Sequence, residues 1–199
     1  MDEASQPRKV GRLFVALLPD ERVRAALERK IHAIEPLLAS GDRTWRWNLH
    51  LTLGFLGERD ERELQATQDA MAASARGCGP LALSLGGVGS FSRRRGDVLW
   101  CGVAPSSPLS CLRGRLVREL ARRGVSVDAS PFTPHVTLFR NARFVSEHAR
   151  RDALATSTQP PVAWEVDRMC LMLSHRVQGA LRYDEIHGVP LDARGARRL

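Results

Sequence analysis

A short pattern, His-x-Thr-Leu, occurs twice in the chain, first at His50 and again at His135, 85 positions later (135 − 50). Each copy lies in a run that alternates between apolar and polar residues, as a strand does when one face is buried. Side chains two residues apart point to the same face of a strand, so His50 shares a face with Thr52, and His135 with Thr137. The pattern therefore predicts two strands that each present an imidazole and a hydroxyl to a cleft.

Two imidazoles and two hydroxyls are suited to general acid–base chemistry. An imidazole titrates near neutral pH, so one ring can remove a proton while another protonates a leaving group. Displacement at phosphorus needs such groups on opposite sides of the phosphorus atom, and hydroxyls can donate hydrogen bonds to the oxygens on which charge accumulates. A 2′,3′-cyclic phosphate fits this arrangement because its ring is strained and its leaving oxygen stays attached to the ribose.

A metal site is the main alternative interpretation of the two histidines. Zinc sites normally use three or four protein ligands, and no carboxylate or cysteine lies within three residues of His50 or His135. The four cysteines are irregularly spaced and contain no Cys-x-x-Cys pair, which argues against a zinc knuckle and a disulfide framework. The sequence predicts chemistry without a metal or another cofactor, and reduced thiols typical of a cytoplasmic protein.

Helix and strand signals surround both motifs. Residues 12–18 predict a buried strand. A helix is predicted to follow, with Asp20 as its N-cap and an apolar stripe that reaches Leu38, and Gly41 is the predicted end of this helix. The remaining predicted elements are a helix with a capping box at Asp60 and Glu63, strands over 81–88 and 98–103, a helix with Ser107 as cap and Pro108 at its first position, a short helix over 146–155, and a hairpin of 163–177 and 180–189.

This order of elements predicts an α+β protein rather than a doubly wound parallel sheet. The doubled motif predicts a bilobed, pseudo-two-fold fold in which two antiparallel β-sheets form a central cleft and helices pack on the outside. No linker rich in Pro, Gly or Ser separates the lobes, so residues 1–199 are expected to form a single domain, with disordered tails at 1–9 and 193–199. No apolar stretch is long enough for a membrane span and no apolar secretory core follows the start, so a cytoplasmic protein is expected. No obligate protein partner is evident in the sequence, and a monomer is expected.

Basic residues exceed acidic ones, and the formal net charge is +8. Only two of the 30 basic residues are lysines, so 28 are arginines (30 − 2), whose planar fork suits phosphate and favours a nucleic-acid or nucleotide partner. An arginine-favouring codon bias would give the same count. The run Arg93-Arg94-Arg95 lies in a predicted hairpin loop over 89–97, where it either holds an RNA backbone or is a solvated turn. Trp45 and Trp47 are expected to cover the sheet, the alternative being that they stack on a base.

The motifs and their flanks resemble the signatures of the two-histidine (2H) phosphoesterases. The segments that carry the resemblance are Leu-His-Leu-Thr-Leu-Gly-Phe-Leu-Gly at 49–57, Pro-His-Val-Thr-Leu-Phe-Arg at 134–140, and shorter matches at 12–17 and 98–100. Within this superfamily the chain is most similar to the bacterial RNA 2′,3′-cyclic phosphodiesterases, also called 2′-5′ RNA ligases. Residues 44–48 depart from the family, in which the approach to the first motif is usually longer and contains proline.

The resemblance implies hydrolysis of an RNA 2′,3′-cyclic phosphate end to a 2′-phosphate, and an ATP-independent reverse reaction that joins RNA ends through a 2′-5′ linkage. It implies that His50 is the proton donor to the leaving 3′-oxygen and that His135 is the proton acceptor that activates water. Thr52, Thr137 and Arg140 would bind the phosphate. Because strict alternation puts Arg140 on the face opposite His135, this role requires a bulge or the end of the strand.

Phe55 matches a family aromatic that lies near the base of the substrate. Its alternation with Leu51 and Leu53 predicts a core position equally well. Two other functions stay open at this point: a 2H phosphodiesterase for a small cyclic nucleotide or an ADP-ribose cyclic phosphate, and a non-catalytic RNA-binding module. Rates on mononucleotides and oligonucleotides separate the first from the RNA enzyme, and binding without turnover would identify the second.

Overall fold

Strands and helices alternate along the chain, of which a computed structural model describes residues 8–128, 130–156 and 161–191. The described strands are β1 (Lys9–Leu17), β2 (Leu38–Arg43), β3 (Leu51–Asp60), β4 (Leu81–Phe91), β5 (Asp97–Val103), β6 (His135–Phe144), β7 (Ala163–Val166), β8 (Arg168–Val177) and β9 (Ala180–Pro190). The α-helices are α1 (Glu21–Ile34), α2 (Glu61–Ala75), α3 (Ser107–Arg122) and α4 (Glu147–Ala155), and short 3-10 helices lie at Glu35–Leu37 and Arg46–Asn48.

The strands form one curled antiparallel sheet, so the fold mixes α-helices with a sheet that resembles half a barrel. Its path is β7-β4-β5-β6-β3-β1-β8-β9, and β2 pairs with β6 off this path. The two sheets expected from the sequence are therefore two halves of one sheet in the described residues. The halves meet where β3 pairs with β6, at the register pair Leu51↔Val136.

The core lies between the helices and one face of this sheet. Leu51 and Val136, from the two motif strands, are fully buried there with the helix stripes. The predicted stripe of α3 is confirmed, since the leucines at 109, 112, 116 and 120 all have zero exposure. Burying a leucine stabilises a fold by about 1.5–3 kcal/mol. These contacts hold the motif strands against the helices and leave their other face to the cleft.

The helix starts are close to their predicted positions because caps are local signals. The Asp20 carboxylate accepts a hydrogen bond from the Val23 amide at 2.7 Å, and Asp60 and Glu63 form the predicted capping box. The predicted cap of α3 is wrong by one residue. The hydroxyl of Ser106, rather than that of Ser107, accepts the hydrogen bond from the Leu109 amide.

The end of α1 differs from the prediction. The α-helix stops at Ile34, because Pro36 lacks an amide hydrogen and disfavours helical geometry in the residue before it. Leu38 and Gly41, predicted as the last stripe position and the stop of the helix, lie in β2 instead. This strand pairs with β6 from Leu38↔Phe144 to Arg43↔Phe139 and therefore continues the sheet beyond the first motif.

Three other boundaries also shift. Lys9 begins β1 and pairs with Asp60, so the predicted disorder of 1–9 is wrong at its last residue, while residues 1–7 and 193–199 lie outside the described residues. The β4–β5 loop is shorter than predicted, spanning 92–96. The predicted last hairpin turns at Gln178-Gly179, but its first part is the separate strand β7, which pairs with β4. No helix among the described residues has the length and apolar character to cross a membrane.

Candidate active site

The pairing of β3 with β6 determines how the two motifs face each other. Leu51 lies opposite Val136 in antiparallel register, and one further step along the strands puts His50 opposite Thr137 and Thr52 opposite His135. An antiparallel pair has a local two-fold axis, so both strands present the same pattern. The imidazoles occupy one diagonal of this four-residue set and the hydroxyls the other. Diagonal neighbours of an antiparallel pair lie about 7–8 Å apart, so the two imidazoles are neighbours on one face of the sheet.

Three depressions adjoin the two motifs, and each takes the name of a residue that lines only that depression. The Arg12 arm, about 640 Å³, includes His50 and Thr52. The Phe132 arm, about 630 Å³, includes His135, Thr137 and Thr52. The Trp45 arm, about 530 Å³, includes His50 and Thr137. Each motif therefore contributes to more than one arm, and the sequence-predicted pairs open onto one branched cleft.

Both imidazoles are held in the same way. The Nδ1 atom of His50 lies 2.6 Å from the Asn48 carbonyl oxygen, and Nδ1 of His135 lies 2.6 Å from the Thr133 carbonyl oxygen. A carbonyl oxygen only accepts, so each Nδ1 carries a hydrogen and donates it, which leaves Nε2 of the neutral ring as a proton acceptor. His50 Nε2 lies 3.0 Å from the Thr52 hydroxyl, which can donate to it.

Each ring also lies against two aromatic side chains. The His50 ring centroid is 4.7 Å from that of Phe14 and 5.2 Å from that of Tyr183. The His135 centroid is 5.2 Å from that of Phe91 and 5.8 Å from that of Trp100. These contacts fix both ring planes and exclude water from part of each imidazole.

The Trp100 indole depends on a glycine in the neighbouring strand. Gly89 pairs with Trp100, and a Cβ atom at position 89 would lie 2.2 Å from the indole ring. Glycine at this position thus lets Trp100 lie flat over β4 and reach His135.

Burial changes the acid–base properties of both rings. It lowers the pKa of His50 from 6.5 to about 4, although the hydrogen bond to the Asn48 carbonyl opposes this and the charges of Arg140 and His135 add to it. The pKa of His135 is also lowered, first by burial and then by Arg140, against the hydrogen bond to Thr133. In the free protein at neutral pH the His50 ring is neutral.

A bulge in β3 reverses the side-chain alternation after the first motif. Ala16 of β1 pairs with Thr52, but the next residue, Val15, pairs with Gly54. Leu53 and Gly54 are therefore both buried, and Phe55 turns to the cleft. Phe55 is 39% exposed, so the core position that alternation allowed is wrong. Its ring lies under the Arg12 guanidinium, whose carbon is 5.4 Å from the ring centroid.

A matching bulge interrupts β6. Trp100 of β5 pairs with Thr137, whereas Leu99 pairs with Phe139, so Leu138 and Phe139 are buried in succession. Arg140 then turns to the cleft and lines all three arms. The bulge that a phosphate-binding role requires of Arg140 is present in β6.

Other candidates from the sequence lie around the rim. Trp45 is 45% and Trp47 52% exposed, so about half of each indole is open to solvent. Trp45 lines its arm. Arg93 lines the Phe132 arm and lies over the Phe91 ring at 5.7 Å, while Arg94 is an exposed turn residue.

Several residues that shape the site were missed from the sequence. Phe14 and Tyr183 reach His50 from β1 and β9, whose pairing depends on the complete sheet. Asn48 is buried and donates its side-chain amide to the Leu181 carbonyl at 2.9 Å, which fixes the backbone that holds His50. One signal was available in the sequence, because Tyr183 is the only tyrosine of the chain.

The described residues contain no group of three or more His, Cys, Asp or Glu side chains that could hold a metal ion. His50 and His135 each have a backbone carbonyl and aromatic rings as neighbours instead.

Comparisons with known proteins agree with this geometry. The family model described as the 2′-5′ RNA ligase superfamily matches residues 19–178. The RNA 2′,3′-cyclic phosphodiesterase of Thermotoga maritima is 30% identical over 161 residues, covering 79% of this chain and 83% of that protein. The Thermus thermophilus protein of the same name is 32% identical over 82% of this chain and 81% of that protein.

A shorter match involves the protein of that name from Geobacillus stearothermophilus, which is 36% identical over 101 residues. This match spans 49% of the chain and about a third of that relative's length, 32%. Among solved structures, Escherichia coli LigT complexed with 3′-AMP superposes with a TM-score of 0.72 at 28% identity, covering 94% of this chain and 99% of that one. The fold, the doubled motif and the family match lead to one conclusion: the chain belongs to the 2′-5′ RNA ligase superfamily.

Proposed function

We propose that this protein is an RNA 2′,3′-cyclic phosphodiesterase that opens the cyclic phosphate at an RNA end and leaves a 2′-phosphate. The observation that carries the proposal is the diagonal of imidazoles created by the Leu51↔Val136 pair. Both rings donate Nδ1–H to a carbonyl and keep Nε2 for chemistry. Relatives of the same family carry this name at about 30% identity over most of the chain.

In the proposed reaction, water attacks phosphorus in line with the 3′-oxygen. His135 Nε2 accepts a proton from water as the new P–O bond forms, and the protonated His50 Nε2 donates a proton to the 3′-oxygen as the P–O3′ bond breaks. The products are a 2′-phosphomonoester and a free 3′-hydroxyl, and the two rings exchange protonation states. Each proton transfer by a positioned side chain contributes about 10²–10⁴-fold to the rate.

The lowered pKa of His50 opposes its role as an acid only while no substrate is bound. An anion within about 4–6 Å favours the charged imidazolium and raises its pKa. The cyclic phosphate carries this negative charge, so its binding between the rings offsets the effect of burial. The depressed pKa in the free protein then limits protonation of His50 to the substrate complex.

Thr52, Thr137 and Arg140 are the proposed phosphate ligands. The two hydroxyls occupy the other diagonal, so they can donate to the two non-bridging oxygens of a phosphate held between the imidazoles. Arg140 lines all three arms and supplies a positive charge whichever arm the RNA strand enters. Phe55 is the proposed contact for the terminal base, since it is exposed in the Arg12 arm.

The same geometry accommodates ligation. If the 5′-hydroxyl of a second RNA replaces water, its oxygen forms the bond to phosphorus and P–O3′ breaks, which leaves a 2′-5′ phosphodiester. The strained ring provides the driving force, so the step needs no ATP. We further propose that the two halves of the sheet act as the two lobes of one pseudo-two-fold domain, and that the protein acts as a cytoplasmic monomer without a metal or cofactor.

The experiment is hydrolysis of an oligonucleotide that ends in a 2′,3′-cyclic phosphate, in the presence of a chelator, with the product isomer resolved. The expected product is exclusively the 2′-phosphate, at the same rate with and without chelator. Formation of the 3′-phosphate, loss of activity on chelation, or binding without turnover would overturn the proposal.

A further inference from the structure

The Trp45 arm leads from the phosphate position to an exposed tryptophan. It shares His50, Thr137 and Arg140 with the catalytic centre and ends at Trp45. The backbone before Trp45 is tied to the second motif strand, because the Thr44 amide donates to the Leu138 carbonyl at 2.8 Å. The backbone that enters Trp45 is thus fixed beside the second motif.

One side of Trp45 already carries a cation. The Arg182 guanidinium carbon lies 3.5 Å from the centroid of the Trp45 ring, and the indole is still 45% exposed. A guanidinium stacked on an indole holds its plane and leaves the remaining surface for another flat group. The Arg182 contact therefore orients the Trp45 indole and leaves its exposed surface available for stacking.

Trp47 cannot extend the same stack. Its ring centroid lies 6.4 Å from that of Trp45, but the two planes are inclined by 70°, whereas bases that stack on one platform are parallel to it. Arg24 and Arg46 lie over Trp47 at 5.3 and 5.4 Å, and Arg46 is paired with Glu21 and Glu28. Trp47 supports Trp45 from its edge, and Trp45 is the platform.

The charges along this arm favour a polyanion. Arg43, Arg140 and Arg176 line it, against one carboxylate, Asp42, which accepts a hydrogen bond from the Asn141 amide group at 2.6 Å. A positive groove that ends in an exposed aromatic platform is the combination that binds single-stranded nucleic acid through its backbone and bases. The arm is thus suited to an RNA chain rather than to a neutral ligand.

The proposed base contact and Trp45 lie in different arms. Phe55 lines the Arg12 and Phe132 arms but not the Trp45 arm. Trp45 lines the Trp45 arm and neither of the other two. A terminal nucleoside on Phe55 and a preceding nucleotide on Trp45 can therefore occupy the cleft together, with the cyclic phosphate between the histidines.

We infer that Trp45, with Arg182 behind it, stacks on the base that precedes the cyclic-phosphate nucleotide, and that this makes single-stranded oligonucleotides the preferred substrates. The inference rests on the proposed function and extends it from the cyclic end to the RNA chain. A base stacked on Trp45 would favour RNA ends over small cyclic nucleotides, which the sequence left open as alternative substrates.

The test compares kcat/KM for a nucleoside 2′,3′-cyclic phosphate and for a tetranucleotide with the same cyclic end. Trp45→Ala should lower the value for the tetranucleotide by roughly 5- to 150-fold, the range of one aromatic–base stack, and change the mononucleotide value by less than about twofold. Trp45→Phe, which keeps an aromatic platform, should restore most of the loss. Phe55→Ala should lower kcat/KM for both substrates by the same factor.

Equal losses on both substrates, or no loss on either, would overturn the inference and leave the proposed function intact. A wild-type protein that turns over neither substrate would contradict the proposed function. In that case, binding of a tetranucleotide ending in a 2′-phosphate, followed by tryptophan fluorescence, would test the stack alone. The expected result is a roughly 5- to 150-fold weaker affinity for Trp45→Ala, and equal affinities would overturn the stack.

Discussion

The two motif strands, β3 and β6, are alike up to the fourth residue of each motif and different at the sixth. Both place a histidine, an inward-facing core residue and a threonine in the same order, and both bulge three residues after the histidine. Both bulges turn the residue five positions after the histidine into the cleft. In β3 that residue is Phe55, and in β6 it is Arg140.

This difference separates what is symmetric in the site from what is not. A phosphate between two equivalent imidazoles could be attacked from either side, since the local two-fold axis makes the sides alike. An aromatic ring on one side and a guanidinium on the other break this equivalence. In the proposed complex, a nucleoside would contact the Phe55 ring and Arg140 would contact the phosphate. The bulges thus make the two sides of a symmetric acid–base pair chemically different.

The largest expected effect is the loss of either imidazole. His50→Ala and His135→Ala should each lower kcat/KM by roughly 10²–10⁴-fold or more, because each removes one proton transfer. Circular dichroism and thermal melting should show an intact fold. His148→Ala is a matched control that should retain full activity, since that exposed histidine of α4 pairs with Asp152 in the same helix. Wild-type kcat/KM in His50→Ala or in His135→Ala would contradict the claim that the reaction depends on both imidazoles.

The hydroxyl diagonal should give the next largest effect. Thr52→Val and Thr137→Val keep the side-chain shape and remove a donor to a non-bridging oxygen, which costs about 10²–10³ in kcat. Thr52→Ser and Thr137→Ser keep the hydroxyl and are the matched controls. Steady-state kinetics of the four variants measure this, and a valine variant as active as its serine partner would exclude that threonine from the phosphate site.

Arg140 should contribute, after burial, to the position of the pH optimum. Both rings have pKa values below 6.5 in the free protein, and Arg140 contributes to both shifts, so the bell-shaped profile of kcat/KM should have its optimum below about pH 6.5. Removal of a cation favours protonation, so Arg140→Gln should move both limbs to higher pH. Loss of its charge-assisted contact should also lower kcat/KM by roughly 10- to 100-fold.

The profile of kcat, which reports the substrate complex, should lie at higher pH than that of kcat/KM, because the bound anion raises both pKa values. A flat profile between pH 5 and 9, or identical profiles for Arg140→Gln and the wild type, would contradict the assignment. Arg140→Lys, which keeps the charge, is the control for the position of the limbs.

The smallest expected effect concerns the arginine run. Arg93 lines the Phe132 arm, whereas Arg94 and Arg95 belong to the exposed part of the turn. Arg93→Gln should reduce the slope of log(kcat/KM) against log salt by about 0.7, the value for one contact to a single-stranded phosphate. The double variant at 94 and 95 should leave the slope unchanged. The reverse result would assign RNA binding to the exposed turn.

Local signals made most elements predictable, and tertiary pairing made the rest unpredictable. The Asp20 cap and the Asp60 capping box depend on residues within three positions of each other, so they could be found in the sequence. The bulges could not, because they are defined by the register of β3 against β1 and of β6 against β5. Strict alternation therefore placed Phe55 in the core and Arg140 on the face opposite His135, whereas both side chains turn to the cleft.

The candidate site shows the same division. The two His-x-Thr pairs were predicted because each occupies three consecutive residues at the start of one strand, with His50 immediately before β3. The aromatic residues that enclose them come from β1, β4, β5 and β9, and only the complete sheet brings these strands to the cleft. Strand β2 was missed for a different reason, since the apolar stripe of α1 continues in sequence to Leu38 although Pro36 ends the helix.

The central claim is that two imidazoles related by the local axis hold one phosphorus between them. A crystal structure with a nucleoside vanadate, in which vanadium takes the place of phosphorus in the transition state, tests it most directly. We expect one apical oxygen within about 2.6–3.2 Å of His135 Nε2 and the other at the same distance from His50 Nε2. Vanadate in contact with only one of the two rings, or bound outside their diagonal, would contradict the account.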